Sequence, residues 1–201
     1  MTCKKCRRLG VSVCGRIRCA VMRKPYPPGS TPAQLKRRRR NLSEYGMQLK
    51  EKQIVKFSYG LRERQFRNYV MKSMKSKDSA NTQRLITFLE SRLDNVIYRL
   101  GFATSRNQAR QIVSHGHIHV NGRRQSFPSY HVKTGDIVSV RPQSGAKGIF
   151  KDLDIRLKKH VVPAWITLDK KKNEATIIGA PQPGTFDIPA NINSVMEFYS
   201  R

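Results

Sequence analysis

Acidic residues are scarce in this chain. Its 201 residues include 13 Asp and Glu against 40 Lys and Arg, for a formal net charge of +27, and the first acidic residue is Glu44. A protein this cationic repels itself unless a polyanion neutralises it. The imbalance therefore predicts that the partner is a nucleic acid.

Long apolar stretches are also missing. The longest apolar runs span only a few residues, too few for a helix that crosses a membrane. The start, Met1-Thr2-Cys3-Lys4-Lys5, does not resemble a signal peptide. We therefore expect no membrane partner and a cytoplasmic location, where a disulfide framework is not expected.

Cysteine is confined to the first 19 residues, and the following 182 residues have none. The spacing Cys3-x2-Cys6-x7-Cys14-x4-Cys19 suits a closed tetrahedral site of four thiolates. We expect one structural Zn²⁺, because zinc is redox-inert, whereas a four-iron cluster would use the same ligands and stays open. The alternative interpretation is four unrelated reduced cysteines.

Residues 1–43 carry 13 Lys and Arg and no acid, including the run Lys36 to Arg40. Such a polar stretch, rich in Pro and Gly, cannot form a packed core alone. We expect a Cys-rich basic segment over 1–43 that is held by metal, by RNA or by both.

Helical patterns follow this segment. Asn41 and Glu44 form a predicted capping box, and Leu61 to about Lys75 has the pattern of a second helix. Apolar residues from Leu85 to Leu100 recur at helical spacing, and Gly101 closes them, which predicts one long helix. The pattern leaves four polar residues off its apolar stripe: Arg84, Arg92, Asn95 and Arg99.

Strand patterns and turns follow the helices. Ser105 begins a short predicted helix that ends at His115-Gly116, and Asn121-Gly122 predicts a hairpin turn. A second predicted hairpin joins Trp165–Leu168 to Ala175–Ile178. The predicted fold is α+β: a helical body over 44–90 and 151–201 that includes the second hairpin, and an inserted helix-pair-plus-sheet module over 91–150.

The module has the clearest candidates for contacts with RNA. Arg106 and Arg110 lie one turn apart on one helix face, beside the N-terminus capped by Ser105, where free N–H groups suit a phosphate. The hairpin turn adds four candidates that read RNA shape: Asn121, Gly122, Arg123 and Arg124. His117 is a further candidate, whereas a metal site built from His115, His117 and His119 is not expected. The alternative is a solvated basic face.

Ordered motifs through most of the chain resemble the bacterial-type ribosomal protein S4 family. They are Leu49-x-Glu51-Lys52-Gln53, Tyr59-Gly60-x-x-Glu63-Arg64-Gln65-Phe66-Arg67-Asn68, Ser91-Arg92-Leu93-Asp94-Asn95-Val96, Tyr98-Arg99-Leu100-Gly101-Phe102-Ala103, Ser105-Arg106-Asn107-Gln108-Ala109-Arg110-Gln111, His115-Gly116-His117-Ile118, Val120-Asn121-Gly122-Arg123-Arg124, Pro128-Ser129-Tyr130 and Glu197-Phe198-Tyr199-Ser200-Arg201.

The resemblance implies a structural protein that binds small-subunit rRNA at a multi-helix junction of the five-prime domain and nucleates subunit assembly. It implies neighbours, the small-subunit ribosomal proteins three and five, at the opening where mRNA enters, with Arg38 and Arg39 as basic residues there. It adds Arg64, Arg67, Gln108 and Gln111 to the RNA-binding candidates, and it places the metal at Cys3, Cys6, Cys14 and Cys19. Members of the family also repress their own message.

Two other functions use the same module. Ser91-Arg92-Leu93-Asp94 resembles the segment that carries the catalytic Asp of some RNA pseudouridine synthases. In those enzymes the module precedes a catalytic domain much larger than the residues left here after position 150, so we do not expect an enzyme. A ribosome-rescue protein would not need the flanking motifs.

Overall fold

The computed structural model describes residues 3–16, 18–29, 42–75, 80–145, 148–150, 152–169, 172–181 and 189–200. No helix within these ranges is long and apolar enough to cross a membrane. The chain divides into two compact units, one within Met1–Thr82 and Asp187–Arg201 and the other within Gln83–Phe186. Helices combine with one antiparallel sheet, which confirms the α+β prediction.

The elements follow in chain order. They are α1 (Lys4–Leu9), α2 (Ala20–Arg23), α3 (Glu44–Ser58), α4 (Glu63–Met74), α5 (Asn81–Glu90), α6 (Leu93–Arg99), α7 (Arg106–Ser114), β1 (Ile118–Val120), β2 (Arg123–Gln125), β3 (Ile137–Val140), α8 (Pro142–Gly145), a 3-10 turn (Gly148–Phe150), α9 (Leu153–Lys159), β4 (Ile166–Asp169), β5 (Glu174–Ile177) and α10 (Ile192–Ser200).

The N-cap of helix α3 lies two residues after the predicted one. Ser43 is the N-cap, with an extended backbone and a hydroxyl that accepts a hydrogen bond from the N–H of Gly46 at 3.2 Å. That bond satisfies one of the free N–H groups of the first turn, which is the purpose of an N-cap. Asn41, the predicted cap, lies outside the described residues.

The first unit packs its C-terminal helix α10 against α3 and α4. Phe66 of α4 is fully buried and its ring lies 6.1 Å from that of Tyr199 of α10. The cysteine-bearing part of the Cys-rich segment packs within the same unit, because Cys6, Leu9 and Cys19 share an apolar cluster with Ile54 of α3. Burial against α3 therefore helps to hold a segment that has too few apolar residues of its own.

The long helix predicted to run from Leu85 to Leu100 is two helices, α5 and α6, so that prediction was wrong. The backbone is extended at Arg92, which forms a β-bridge with His131. The N–H groups of Leu93 and Asp94 donate to the carbonyls of Tyr130 and Pro128, at 2.8 and 3.1 Å. Because these partners replace the carbonyls four residues earlier, the helix stops and restarts.

The second unit contains a five-stranded antiparallel sheet with the order β2-β1-β3-β5-β4. Asn121 and Gly122 both have positive φ, 51° and 75°, as a two-residue type I′ turn requires, so the predicted hairpin is confirmed. The second predicted hairpin also forms, as β4 and β5. It does not belong to the helical body, because β5 pairs with β3 of the module and Ala175 and Ile177 join the module's core.

Candidate nucleic-acid interface

The four cysteines of the first unit lie together. Cys3 precedes α1, Cys6 lies within it, and Cys19 is the N-cap of α2. All four Sγ atoms lie within 4.8 Å of one another, with 3.9 Å between Cys3 and Cys14 and 3.6 Å between Cys14 and Cys19. Four sulfurs about 2.3 Å from one zinc would be about 3.8 Å apart, so the cluster fits a tetrahedral metal ion.

The pKa is shifted at three of these thiols, in different directions. Burial raises the pKa of Cys6 to about 12 and also raises the pKa of Cys14. Burial acts in the same direction on Cys19, but hydrogen bonds from the Ser12 side chain and the backbone at Val21 outweigh it and lower its pKa to about 7. A bound cation would favour the thiolate at all four positions, so metal binding would release protons.

In the second unit, Arg110 of α7 is held by a buried carboxylate. Its Nε and Nη2 atoms donate to Oδ2 of Asp94 at 3.0 and 2.7 Å. Arg92, which is 2% exposed, donates to both oxygens of the same carboxylate, at 3.1 and 2.8 Å. Asp94 therefore forms ion pairs with two arginines at a buried position.

Arg106, one turn earlier, is held by an amide and a ring. Its Nε donates to Oδ1 of Asn95 at 2.8 Å, and its guanidinium lies 4.5 Å from the ring centre of Tyr98. Ser105 caps α7 as predicted, accepting from the N–H of Gln108. Both arginines therefore have fixed positions on α7 and are partly buried.

The hairpin turn is also fixed by its own side chains. Asn121 donates to Asp136 at 2.8 Å and accepts from the N–H of Ile137 at 2.9 Å, so its side chain joins the turn to β3. Arg123 and Arg124 are exposed. Arg124 reaches back to the end of α7, where its guanidinium occupies the space that a side chain at Gly116 would fill.

The remaining polar candidates of the module differ in exposure. Gln111 is exposed on α7, and Gln108 accepts from the N–H and the hydroxyl of Thr104, both at 2.7 Å. His117 is buried, and its Nδ1 lies 2.9 Å from the hydroxyl of Ser144. A side chain enclosed in this way supports the core, so the structure does not place His117 on an RNA-binding surface.

The candidates from the family resemblance in the first unit lie on α4, where Arg64 and Arg67 are both exposed. Arg38 and Arg39 lie outside the described residues. Within the described ranges, the side chains that lie close enough together to hold a metal ion are the four cysteines. That group does not include His115, His117 or His119.

Sequence patterns missed the polar network beneath α7. Glu90 is fully buried and accepts from Nε and Nη2 of Arg99 at 3.0 and 2.9 Å, and from Nδ2 of Asn95 at 2.6 Å. The helical pattern places Asn95 and Arg99 off the apolar stripe, and Glu90 was not among the candidate residues. The spacing of Asn95 and Arg99, one helical turn apart, was a signal that both face the same side of α6.

Comparison with known proteins gives consistent matches along the chain. Residues 1–90 match the family model "Ribosomal protein S4/S9 N-terminal domain", and residues 91–138 match "S4 domain". The chain is 44% identical over 200 residues to the small ribosomal subunit protein uS4 of Chloroflexus aurantiacus, covering 98% of this chain and 96% of the relative. It is 41% identical over 205 residues to the protein of that name from Kosmotoga olearia, covering 99% and 96%.

Proposed function

Because the chain belongs to the small ribosomal subunit protein uS4 family, we propose that it is an RNA-binding constituent of the small ribosomal subunit. The observation that carries this proposal is the pair of arginines on α7, Arg106 and Arg110, fixed beside a capped helix N-terminus. Fixed guanidinium groups are suited to bidentate contacts with phosphate.

The RNA in this proposal is small-subunit rRNA, bound at a multi-helix junction of the five-prime domain during subunit assembly. Arg123 and Arg124 at the hairpin turn and Arg64 and Arg67 on α4 are exposed cations that add contacts with the backbone. Contacts with the RNA backbone carry no information about the base sequence, so recognition of the junction depends on its shape.

The proposal extends to messenger RNA and to neighbouring proteins. The basic residues Arg38 and Arg39 would contact mRNA where it enters the subunit, and small-subunit ribosomal proteins three and five would lie beside this chain there. These assignments rest on the family resemblance and on the run of five cations from Lys36 to Arg40.

A structural zinc ion is the proposed occupant of the cysteine cluster. Cys3, Cys6, Cys14 and Cys19 would supply four thiolates at distances that suit a tetrahedral ion. The ion would fix the Cys-rich segment against α3, where Cys6 and Cys19 are already buried with Ile54. Its role is stabilisation of an RNA-binding segment, since nothing in a closed four-thiolate site leaves a position for a substrate.

The enzymatic alternative is not favoured. A pseudouridine synthase would need Asp94 free to react with a base, but Asp94 is 3% exposed and paired with Arg92 and Arg110. The alternative of a ribosome-rescue protein is not favoured either, because residues 1–90 match the ribosomal N-terminal domain outside the module.

Sedimentation tests the proposal. The tagged full-length chain, expressed in bacterial cells, should sediment with small subunits and with whole ribosomes after centrifugation through a sucrose gradient. A chain with Arg64, Arg67, Arg106 and Arg110 all changed to Gln is the control, and more of it should remain at the top of the gradient. Recovery of the unaltered chain only with large subunits, or only as free protein, would contradict the proposal.

A further inference from the structure

Two buried carboxylates lie beneath the arginines of the module. Glu90 ends α5, Asp94 lies in the first turn of α6, and both are almost completely buried, at 0% and 3% exposure. Burying a carboxylate is costly unless cations and hydrogen bonds surround it. Their cost suggests a role that a packed apolar side chain could not fill.

Asp94 has more cation around it than its own charge requires. The buried Arg92 already neutralises it through two hydrogen bonds. Arg110 adds a second guanidinium on Oδ2, through both Nε and Nη2, while its side chain remains 32% exposed. Asp94, Arg92 and Arg110 together therefore carry a net charge of +1, and the most exposed of the three is Arg110. Its two hydrogen bonds to Asp94 fix the plane of its guanidinium group.

Glu90 is connected to Arg106 of α7 by hydrogen bonds through Asn95. It binds Arg99 through two hydrogen bonds and accepts from Nδ2 of Asn95. That bond turns the other end of the Asn95 amide, Oδ1, toward Nε of Arg106. These hydrogen bonds orient the guanidinium of Arg106 over the ring of Tyr98.

We propose that Asp94 and Glu90 are positioning residues for RNA binding: Asp94 fixes Arg110, and Glu90 fixes Arg99 and, through Asn95, Arg106, in orientations that meet RNA phosphates. The inference rests on the proposed function and deepens it. A fixed guanidinium loses less rotational freedom on binding than a mobile one, and it presents two parallel N–H groups to a phosphate.

For Asp94→Asn, the proposal predicts a change in RNA affinity opposite to the one that net charge alone predicts. Removing a negative charge from a cationic RNA-binding protein should strengthen its attraction to RNA. If Asp94 acts by positioning Arg110, then Asp94→Asn should instead weaken binding, on the order of tenfold, and should lower the steepness of the salt dependence by about one unit. Glu174→Gln, at an exposed position on β5, is the matched control with the same change in net charge.

The experiment measures binding of the full-length protein to a transcript of the five-prime domain of small-subunit rRNA, over a range of KCl concentrations. We expect Asp94→Asn to bind more weakly than the unaltered chain, and Glu174→Gln to bind equally or more tightly. Asp94→Asn binding as tightly as Glu174→Gln would overturn the inference. Absence of binding by the unaltered chain would instead contradict the proposed function, so the two failures are distinct.

A second variant covers loss of folding in Asp94→Asn. Arg110→Lys keeps the positive charge but cannot make both hydrogen bonds to Asp94, because a lysine side chain has one nitrogen where arginine uses Nε and Nη2. We expect Arg110→Lys to lose most of the affinity that Arg110→Ala loses. Full affinity in Arg110→Lys would show that orientation does not matter, and it would overturn the inference whatever the outcome at Asp94. Circular dichroism on each variant verifies that the helices are intact.

Discussion

Nζ of Lys52 lies 2.8 Å from Oε1 of Glu63, which joins helix α3 to helix α4. Nζ of Lys56 lies 2.7 Å from the other oxygen, and the hydroxyl of Tyr199 donates to Oε1 at 2.7 Å. The ammonium of Lys52 also lies 4.5 Å from the ring centre of Phe198. One carboxylate thus connects three helices of the first unit.

The first prediction concerns this carboxylate and acid. Burial acts to raise the pKa of Glu63, but hydrogen bonds from Lys52, Lys56 and Tyr199 outweigh it and lower the pKa from 4.5 to about 2. A lowered pKa stabilises the folded state at pH values above 4.5, and the benefit is lost as the pH falls from 4.5 toward 2. We expect Glu63→Gln to reduce the free energy of unfolding at pH 7 and to differ progressively less from the unaltered chain below pH 4.5.

The size of this effect is limited by solvent, because the Glu63 side chain is 46% exposed. Urea titrations at several pH values measure it. The background variant Lys52→Met serves as the control, and there the pH-dependent difference should shrink. A difference that stays constant from pH 7 to pH 2 would mean that the three partners do not stabilise the ionised carboxylate.

The second prediction concerns Gly101, which follows α6 with a φ of +80°. A Cβ there would lie 2.8 Å from Cδ2 of His160, and the Nε2 of that ring lies 2.7 Å from the carbonyl of Arg99. Gly101→Ala combines backbone strain with displacement of the ring. We expect it to reduce the free energy of unfolding by about 2–4 kcal/mol.

Gly135→Ala is the matched control for Gly101→Ala. Gly135 also has a positive φ, +90°, but nothing lies within 4 Å of an added Cβ. Its replacement should therefore show the strain alone, about 1–2 kcal/mol. Equal losses of stability for the two variants, measured by urea denaturation, would mean that the His160 ring does not confine position 101.

The third prediction concerns the metal. Cys6→Ser should lower the zinc content of the purified chain well below one ion per molecule, as measured by elemental analysis. Because Cys6 is buried in the cluster that contains Ile54, amide hydrogen exchange should become faster in α1 and in the adjoining part of α3. Helices α6 and α7 of the other unit should retain their protection.

Ser12→Ala is the control for Cys6→Ser. The Ser12 hydroxyl lies 3.9 Å from Sγ of Cys14, at the edge of the cluster, but it is not one of the four sulfurs. The variant loses a hydrogen bond that lowers the pKa of Cys19 but keeps all four sulfurs, so it should keep its zinc and its slow exchange in α1. Freshly purified, unaltered protein without zinc or iron would refute the metal assignment.

Sequence patterns predicted the features that depend on neighbours in the chain. The spacing from Cys3 to Cys19 predicted the cluster, because 17 residues with two glycines can bring four sulfurs together. Asn121-Gly122 predicted its turn, because only residues that tolerate positive φ form it. Ser105 predicted the start of α7 for a similar reason, a local bond to the N–H of Gln108.

Features that depend on distant residues could not be predicted in this way. The apolar spacing continues through Ser91 and Arg92, but the helix breaks because backbone groups near residue 130 take over its hydrogen bonds. His117 has the appearance of a surface residue until Ser144, 27 positions later, is placed against it. The placement of the second hairpin required knowledge of the pairing between β3 and β5.

The most direct test of the central claim compares two RNAs at moderate salt. The full-length chain should bind the intact multi-helix junction of the five-prime domain more tightly than a simple duplex of equal length. For the junction, log affinity should fall against log salt with a slope steeper than about −4, as roughly five or more phosphate contacts require. Equal affinity for both RNAs would contradict the account, because the chain would then bind RNA only as a cation.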